Sequence, residues 1–154
     1  MGYKVAVVGV TGAVGREMLR VLEQRRFPVD ELVPLASARS AGTPVEFRGE
    51  RLTVRALDRQ SFAGVKVALF SAGGPISRDY APTAAGAGAV VIDNTSAFRM
   101  DPQVPLVVPE VNAEAARQRP KGIIANPNCS TIQMLVAIAP LHREARIRRI
   151  VVAT

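Results

Sequence analysis

The stretch Gly9-Val10-Thr11-Gly12-Ala13-Val14-Gly15 constrains the fold more than any other part of this chain, because of what flanks it. Lys4-Val5-Ala6-Val7-Val8 before it is an apolar run that reads as a strand buried on both faces. After it, Met18, Leu19, Val21 and Leu22 recur at helical spacing across Arg16 to Arg25, and Pro28 ends that helix. Glu31 to Ala36 then reads as a second strand. Strand, glycine turn, helix and strand make a βαβ unit, normally parallel and right-handed.

The same alternation continues. Val45–Phe47 and Leu52–Val54, separated by Arg48-Gly49-Glu50-Arg51, read as a hairpin. Val65–Phe70 is a further buried strand, and Ile76–Ala87 is helical in pattern despite Pro82 and Gly86. Strands are expected at Ala89–Ile92, Leu106–Val108 and Gly122–Ala125, with Asn112 as the N-cap of a short helix, Ala113–Gln118. A helix follows over Ile132–Leu141, and Ile147–Ala153 reads as a last strand. Such a chain makes an α/β domain with a doubly wound, mostly parallel sheet and helices on both faces. The expected division is a nucleotide-binding domain over 1–146, with 147–154 as the first strand of, or linker to, a further domain. A strong strand running to the last residue reads as a chain cut at a domain boundary.

G-x-x-G-x-x-G between strand and helix is a variant of the dinucleotide fingerprint. Gly9 makes the turn, Gly12 permits close approach to a pyrophosphate, and Gly15 permits close helix–strand packing. The N–H groups from Thr11 through Ala13 and Val14 into the helix would face the phosphates. Taken alone, the motif is also compatible with a tight turn that binds nothing. Where NAD sites usually place an Asp or Glu, this chain has Ser37-Ala38-Arg39-Ser40-Ala41-Gly42. A guanidinium and two hydroxyls suit a 2′-phosphate, so NADP is favoured, unless Arg39 is simply an exposed loop residue. Ser71-Ala72-Gly73 ends another buried strand, at the sheet edge where ligands bind in this architecture.

One cysteine lies in Asn126-Pro127-Asn128-Cys129-Ser130-Thr131, between an apolar run and a helical pattern. A single free cysteine is most often inert and buried. Here the thiol falls on the first turn of a helix, whose unpaired N–H groups and partial positive charge stabilise a thiolate and an oxyanion. Cys129 is therefore a candidate nucleophile, with Asn128 and backbone donors for the oxyanion. No metal is expected.

Charge raises a different possibility. The net charge of +7 invites a nucleic-acid partner, but the arginines are spread in ones and twos. The densest group, Arg143, Arg146, Arg148 and Arg149, reads as a solvated helix end and linker. Aromatic residues are 5% and tryptophan is absent, which leaves no platform for stacked bases. Phosphorylated small molecules explain the charge as well. With one cysteine, no signal-peptide pattern and no apolar stretch of spanning length, a cytoplasmic protein without a membrane partner is expected.

The strings GVTGAVG, SARSAG, DNTSAFRM, VVPEVN and NPNCST, in this order, resemble the N-terminal half of the aspartate-β-semialdehyde dehydrogenase family. The resemblance implies a Rossmann domain followed by a dimerising catalytic domain. It implies reversible, NADP-dependent reductive dephosphorylation of aspartyl 4-phosphate to the semialdehyde, feeding lysine, threonine and methionine synthesis. By it, Cys129 forms the thioester and Arg99 matches the phosphate-binding arginine. The family's acid–base histidine and substrate-carboxylate arginine belong to a C-terminal half outside this sequence. His142, the sole histidine, lies roughly 20 Å along the helix from Cys129 and is not that base. Two other readings stand beside this one. N-acetyl-γ-glutamyl-phosphate reductase shares the chemistry but usually has Gly where Asn128 stands, and a stand-alone nucleotide-binding module would need no nucleophile.

Overall fold

The first strand, β1 (Tyr3–Val8), turns Val5 and Val7 into one apolar cluster and Ala6 and Val8 into another. That alternation is what a strand covered on both faces requires. The computed structural model describes residues 2–153; Met1 and Thr154, the outer ends of the expected division, lie outside the described residues. Helix α1 (Ala13–Gln24) covers the Val5 and Val7 face with Leu19 and Leu22, and β2 (Val29–Ala36) returns parallel to β1. The helix starts three residues earlier than its apolar spacing predicts. Gly12 is extended and its carbonyl accepts the first helical bond from Arg16 N–H at 3.0 Å.

A short 3-10 turn, Ala38–Ser40, leads to the antiparallel pair β3 (Pro44–Phe47) and β4 (Glu50–Thr53). Their loop is two residues, not four. Arg48 (φ 53°) and Gly49 (φ 77°) are both left-handed, the conformation that lets a tight hairpin follow the strand twist. Then come β5 (Arg55–Ala56), β6 (Val67–Phe70), α2 (Gly74–Gly86) and β7 (Val90–Asp93). Helix α2 runs through the exposed Pro82 and sets Ala81 and Ala84 against the Ala6 and Val8 face.

After β7 the chain forms α3 (Pro109–Asn112), a 3-10 segment (Ala113–Arg117), β8 (Ile123–Ala125) and α4 (Cys129–Ala145). The six-stranded sheet has the order β5-β2-β1-β6-β7-β8, with every pairing parallel. Successive strands are added on one side of β1 up to β5 and on its other side from β6 onward, so the strand order switches between β1 and β6. A crevice opens there at the carboxyl ends of the strands.

Three expectations need correction. Leu106–Val108 is not a strand; only Leu106 bridges to Ala125, and Val108, still extended, is the N-cap of α3. Asn112 does not cap a following helix. Its Oδ1 accepts from Val108 N–H and its Nδ2 donates to the Leu106 carbonyl, so the side chain serves the segment behind it. Residues 147–153 form no strand, and Ile150, Val151 and Val152 are exposed. β-Branched residues make a strand only where a neighbour offers a ladder.

Candidate functional site

The crevice begins with Gly9, whose φ of +88° admits few side chains. A Cβ there would also lie 3.0 Å from the Ala72 backbone nitrogen. Glycine thus allows the β1 and β6 loops to meet. Gly9 N–H donates to the Leu35 carbonyl at 2.8 Å, and Ser71 N–H donates to the Val8 carbonyl at 2.9 Å, tying the three strand ends together. Gly15 is buried, and a Cβ on it would sit 2.2 Å from the Gly9 carbonyl oxygen. No side chain caps α1, so its first-turn N–H groups remain available.

These loops enclose a cavity of about 520 Å³. Gly9, Thr11, Gly12, Ser37, Arg39, Ser40, Ser71 and Ala72 all line it, so eight of the residues singled out from sequence are brought together. Ala13, Val14 and Gly15 form the first turn of α1 outside that lining, and Gly73, at φ +95°, precedes α2. Among the described residues, no carboxylate lines the cavity. Arg39 is exposed and, among the described residues, enters no ion pair. Leu57, Ile76 and Tyr80 add a partly buried apolar wall that sequence reasoning missed. Only the fold brings them beside the glycine turn.

A second constellation occupies the ends of β7 and β8 along the same sheet edge. Cys129 is the first residue of α4 and is exposed, unlike the usual structural cysteine. Asn128 caps the helix: its Oδ1 accepts from Ser130 N–H at 3.0 Å and from Ser130 Oγ at 2.6 Å. This use of the oxygen leaves the amide NH₂ as its donor. Arg99 donates from Nε to the Asn126 carbonyl at 3.0 Å and from Nη2 to the Asn94 carbonyl at 3.1 Å. Asn126 Nδ2 in turn donates to Asn94 Oδ1 at 2.6 Å. Sequence reasoning passed over both asparagines, since nothing local marks them as neighbours.

Asp93, fully buried at the end of β7, organises the loop behind Arg99. Its carboxylate accepts from Ser77 Oγ, Thr95 N–H and Thr95 Oγ at 2.8–3.0 Å. These donors offset the cost of burying the group. Further along, Lys121 Nζ donates to Asp101 at 2.6 Å, and that bond, with the Gln103 N–H, holds the Asp101 carboxyl below its ordinary range. His142 sits exposed in the last turn of α4, at the far end from Cys129. Among the described residues, no three His, Cys, Asp or Glu side chains gather as metal ligands. No helix there is long and apolar enough to cross a membrane.

Comparison with known proteins follows the same lines. The family model described as "Semialdehyde dehydrogenase, NAD binding domain" matches residues 4–119. An aspartate-semialdehyde dehydrogenase from Aquifex aeolicus is 60% identical, covering 100% of this chain and 46% of its own length. The crystal structure of aspartate semialdehyde dehydrogenase II from Vibrio cholerae superposes with a TM-score of 0.90 at 55% identity, over 97% of this chain and 45% of its own. The same Vibrio cholerae enzyme complexed with ASA gives a TM-score of 0.85 at 55% identity, over 93% of this chain and 47% of that one. This chain spans about half the length of the curated relatives it matches.

Proposed function

This chain belongs to the semialdehyde dehydrogenase family, and from that premise we propose that it is the N-terminal, NADP-binding half of an aspartate-semialdehyde dehydrogenase. The reaction is reductive dephosphorylation of aspartyl 4-phosphate to the 4-semialdehyde, a step of amino-acid biosynthesis carried out in the cytoplasm by a homodimer. The reading rests on one observation. A nucleotide-sized cavity free of carboxylates and the Arg99–Asn126–Cys129 chain lie on one sheet edge.

The cavity fits a dinucleotide phosphate. Gly9 and Gly12 leave room for the pyrophosphate, and the uncapped start of α1 offers N–H donors to it. Ser37, Arg39 and Ser40 suit the 2′-phosphate, and Leu57, Ile76 and Tyr80 offer an apolar wall for a base. The cofactor, when bound, supplies the hydride.

Cys129 Sγ attacks the acyl carbon of the substrate. The C–S bond forms as the C–O bond to phosphate breaks, and phosphate leaves with that electron pair, held by Arg99. Asn128 Nδ2 and the start of α4, apart from the Ser130 N–H that Asn128 Oδ1 holds, donate to the carbonyl oxygen as negative charge develops on it. The acid–base group and the carboxylate-binding arginine come from the remaining half.

That half also covers α4. The helix is rich in Ile, Leu, Val and Met, yet none of its side chains is buried, with Val136 41% and Leu141 60% exposed. On this reading the domain spans 1–146, and 147–154 is the first strand of, or linker to, the remaining half. The deciding experiment joins this chain to the remaining half and follows aspartate-semialdehyde oxidation with NADP and phosphate. Absence of phosphate-dependent NADP reduction would overturn the reading.

A further inference from the structure

The asparagines at the ends of β7 and β8 have a role that the reaction alone does not require. Asp93 and Ala125 are partners in the parallel ladder, and Asn126 N–H extends it by donating to the Asp93 carbonyl at 2.8 Å. Asn94 and Asn126 therefore leave the sheet side by side. Their side chains clasp at 2.6 Å, and both main-chain carbonyls turn onto Arg99. The three residues form a closed ring of hydrogen bonds. From it the chain runs through the buried Pro127 to Asn128 and Cys129.

The composition of this ring matters. Arg99 is held by carbonyls and, among the described residues, enters no ion pair, so its positive charge is not neutralised. A carboxylate at position 94 would keep the acceptor for Asn126 Nδ2 and leave both main-chain carbonyls on Arg99. It would also cancel the field that an anion needs. Two of the three guanidinium nitrogens are committed to the carbonyls, which leaves Nη1 as the one with no partner in the ring.

We infer that Asn94 and Asn126 are positioning residues. They form a neutral clamp that fixes Arg99 relative to the Cys129 turn while keeping its charge available to a phosphate. The inference deepens the proposed function and rests on its reading of Arg99 as the phosphate-holding group.

The test uses inorganic phosphate as the probe and the alkylation rate of Cys129 by iodoacetamide as the readout, followed on the peptide that contains it. Phosphate is expected to protect Cys129 in the unaltered protein, and Arg99→Ala to abolish that protection. Asn94→Ala, with Asn126→Ala as an independent variant, is expected to raise the half-protecting phosphate concentration about threefold to tenfold. Asn94→Asp keeps an acceptor for Asn126 Nδ2, so its melting temperature is expected to equal or exceed that of the unaltered protein. Its phosphate affinity is expected to fall at least about tenfold.

A merely structural asparagine predicts the opposite for Asn94→Asp, namely retained phosphate affinity in a stable protein. That result, or unchanged affinity in both alanine variants while Arg99→Ala loses protection, overturns the clamp and leaves the Arg99 reading intact. No protection in the unaltered protein, or protection that survives Arg99→Ala, overturns the Arg99 reading and the clamp with it.

Discussion

Arg99 donates from Nε to the main-chain carbonyl of Asn126 at 3.0 Å, three residues before Cys129. The proposed anion-holding group is thereby attached to the turn that presents the proposed nucleophile. Arg99→Lys keeps the charge but loses the planar fork that serves two carbonyls and a ligand together. It is expected to weaken phosphate binding about tenfold, read as KM for phosphate in the joined two-half enzyme. An unchanged KM would show that charge alone suffices.

Cys129→Ser should remove turnover in the joined enzyme while leaving NADP affinity within about twofold, since the thiol is outside the cavity lining. The 154-residue chain alone should not turn over aspartate semialdehyde with NADP and phosphate. Cys129-dependent turnover by the chain alone would mean that the remaining half is dispensable.

Arg39 is exposed at the rim of a cavity with no carboxylate, so its effect should be confined to the 2′-phosphate. Arg39→Ala is expected to weaken NADP binding roughly tenfold or more and to leave NAD binding unchanged. Calorimetric titration with each cofactor checks this. Equal affinity of the unaltered protein for the two would remove the role assigned to Arg39.

Gly15 and Gly12 should respond differently to alanine. A Cβ on Gly15 meets the Gly9 carbonyl oxygen at 2.2 Å, whereas on Gly12 it stays 3.4 Å from the same atom. Gly15→Ala is expected to cost about 1–3 kcal/mol of stability by forcing backbone apart, and Gly12→Ala clearly less. Denaturant melts of both variants would reveal a reversed order if the packing argument were wrong.

The Asp101–Lys121 contact joins the segment after Arg99 to the approach to β8. Asp101 is held below its ordinary value of 3.8, chiefly by the Lys121 hydrogen bond. A carboxyl lowered in the folded state stabilises above its unfolded pKa, and this stabilisation is lost as pH falls through the folded value. Lys121→Met should therefore lower the melting temperature at pH 7, with the deficit shrinking below about pH 4. A deficit independent of pH would assign the effect to packing.

Much of the architecture was legible because its signals are short-range. The apolar runs at Val5–Val8 and Val67–Phe70 lie within the strands expected for them. The placement of Cys129 at a helix start followed from the Asn-Pro-Asn turn, whereas the capping of α4 by Asn128 is seen only in the structure. Short-range signals also misled. Asn112 has the chemistry of an N-cap, yet its side chain found nearer partners behind it. Ile147–Ala153 has strand-forming residues, yet none of the described strands pairs with them.

By itself, the sequence determined the βαβ start, the glycine turn without a carboxylate after the second strand, and a thiol on the first turn of a helix. Each depends on periodicity or turn chemistry within a few residues. Tertiary structure decided which turns would meet. Strand order brought Ser71 and Ala72 against Gly9, and the parallel register of β7 and β8 set Asn94 beside Asn126 under Arg99. Those contacts join residues about thirty or more positions apart, and only strand pairing specifies them.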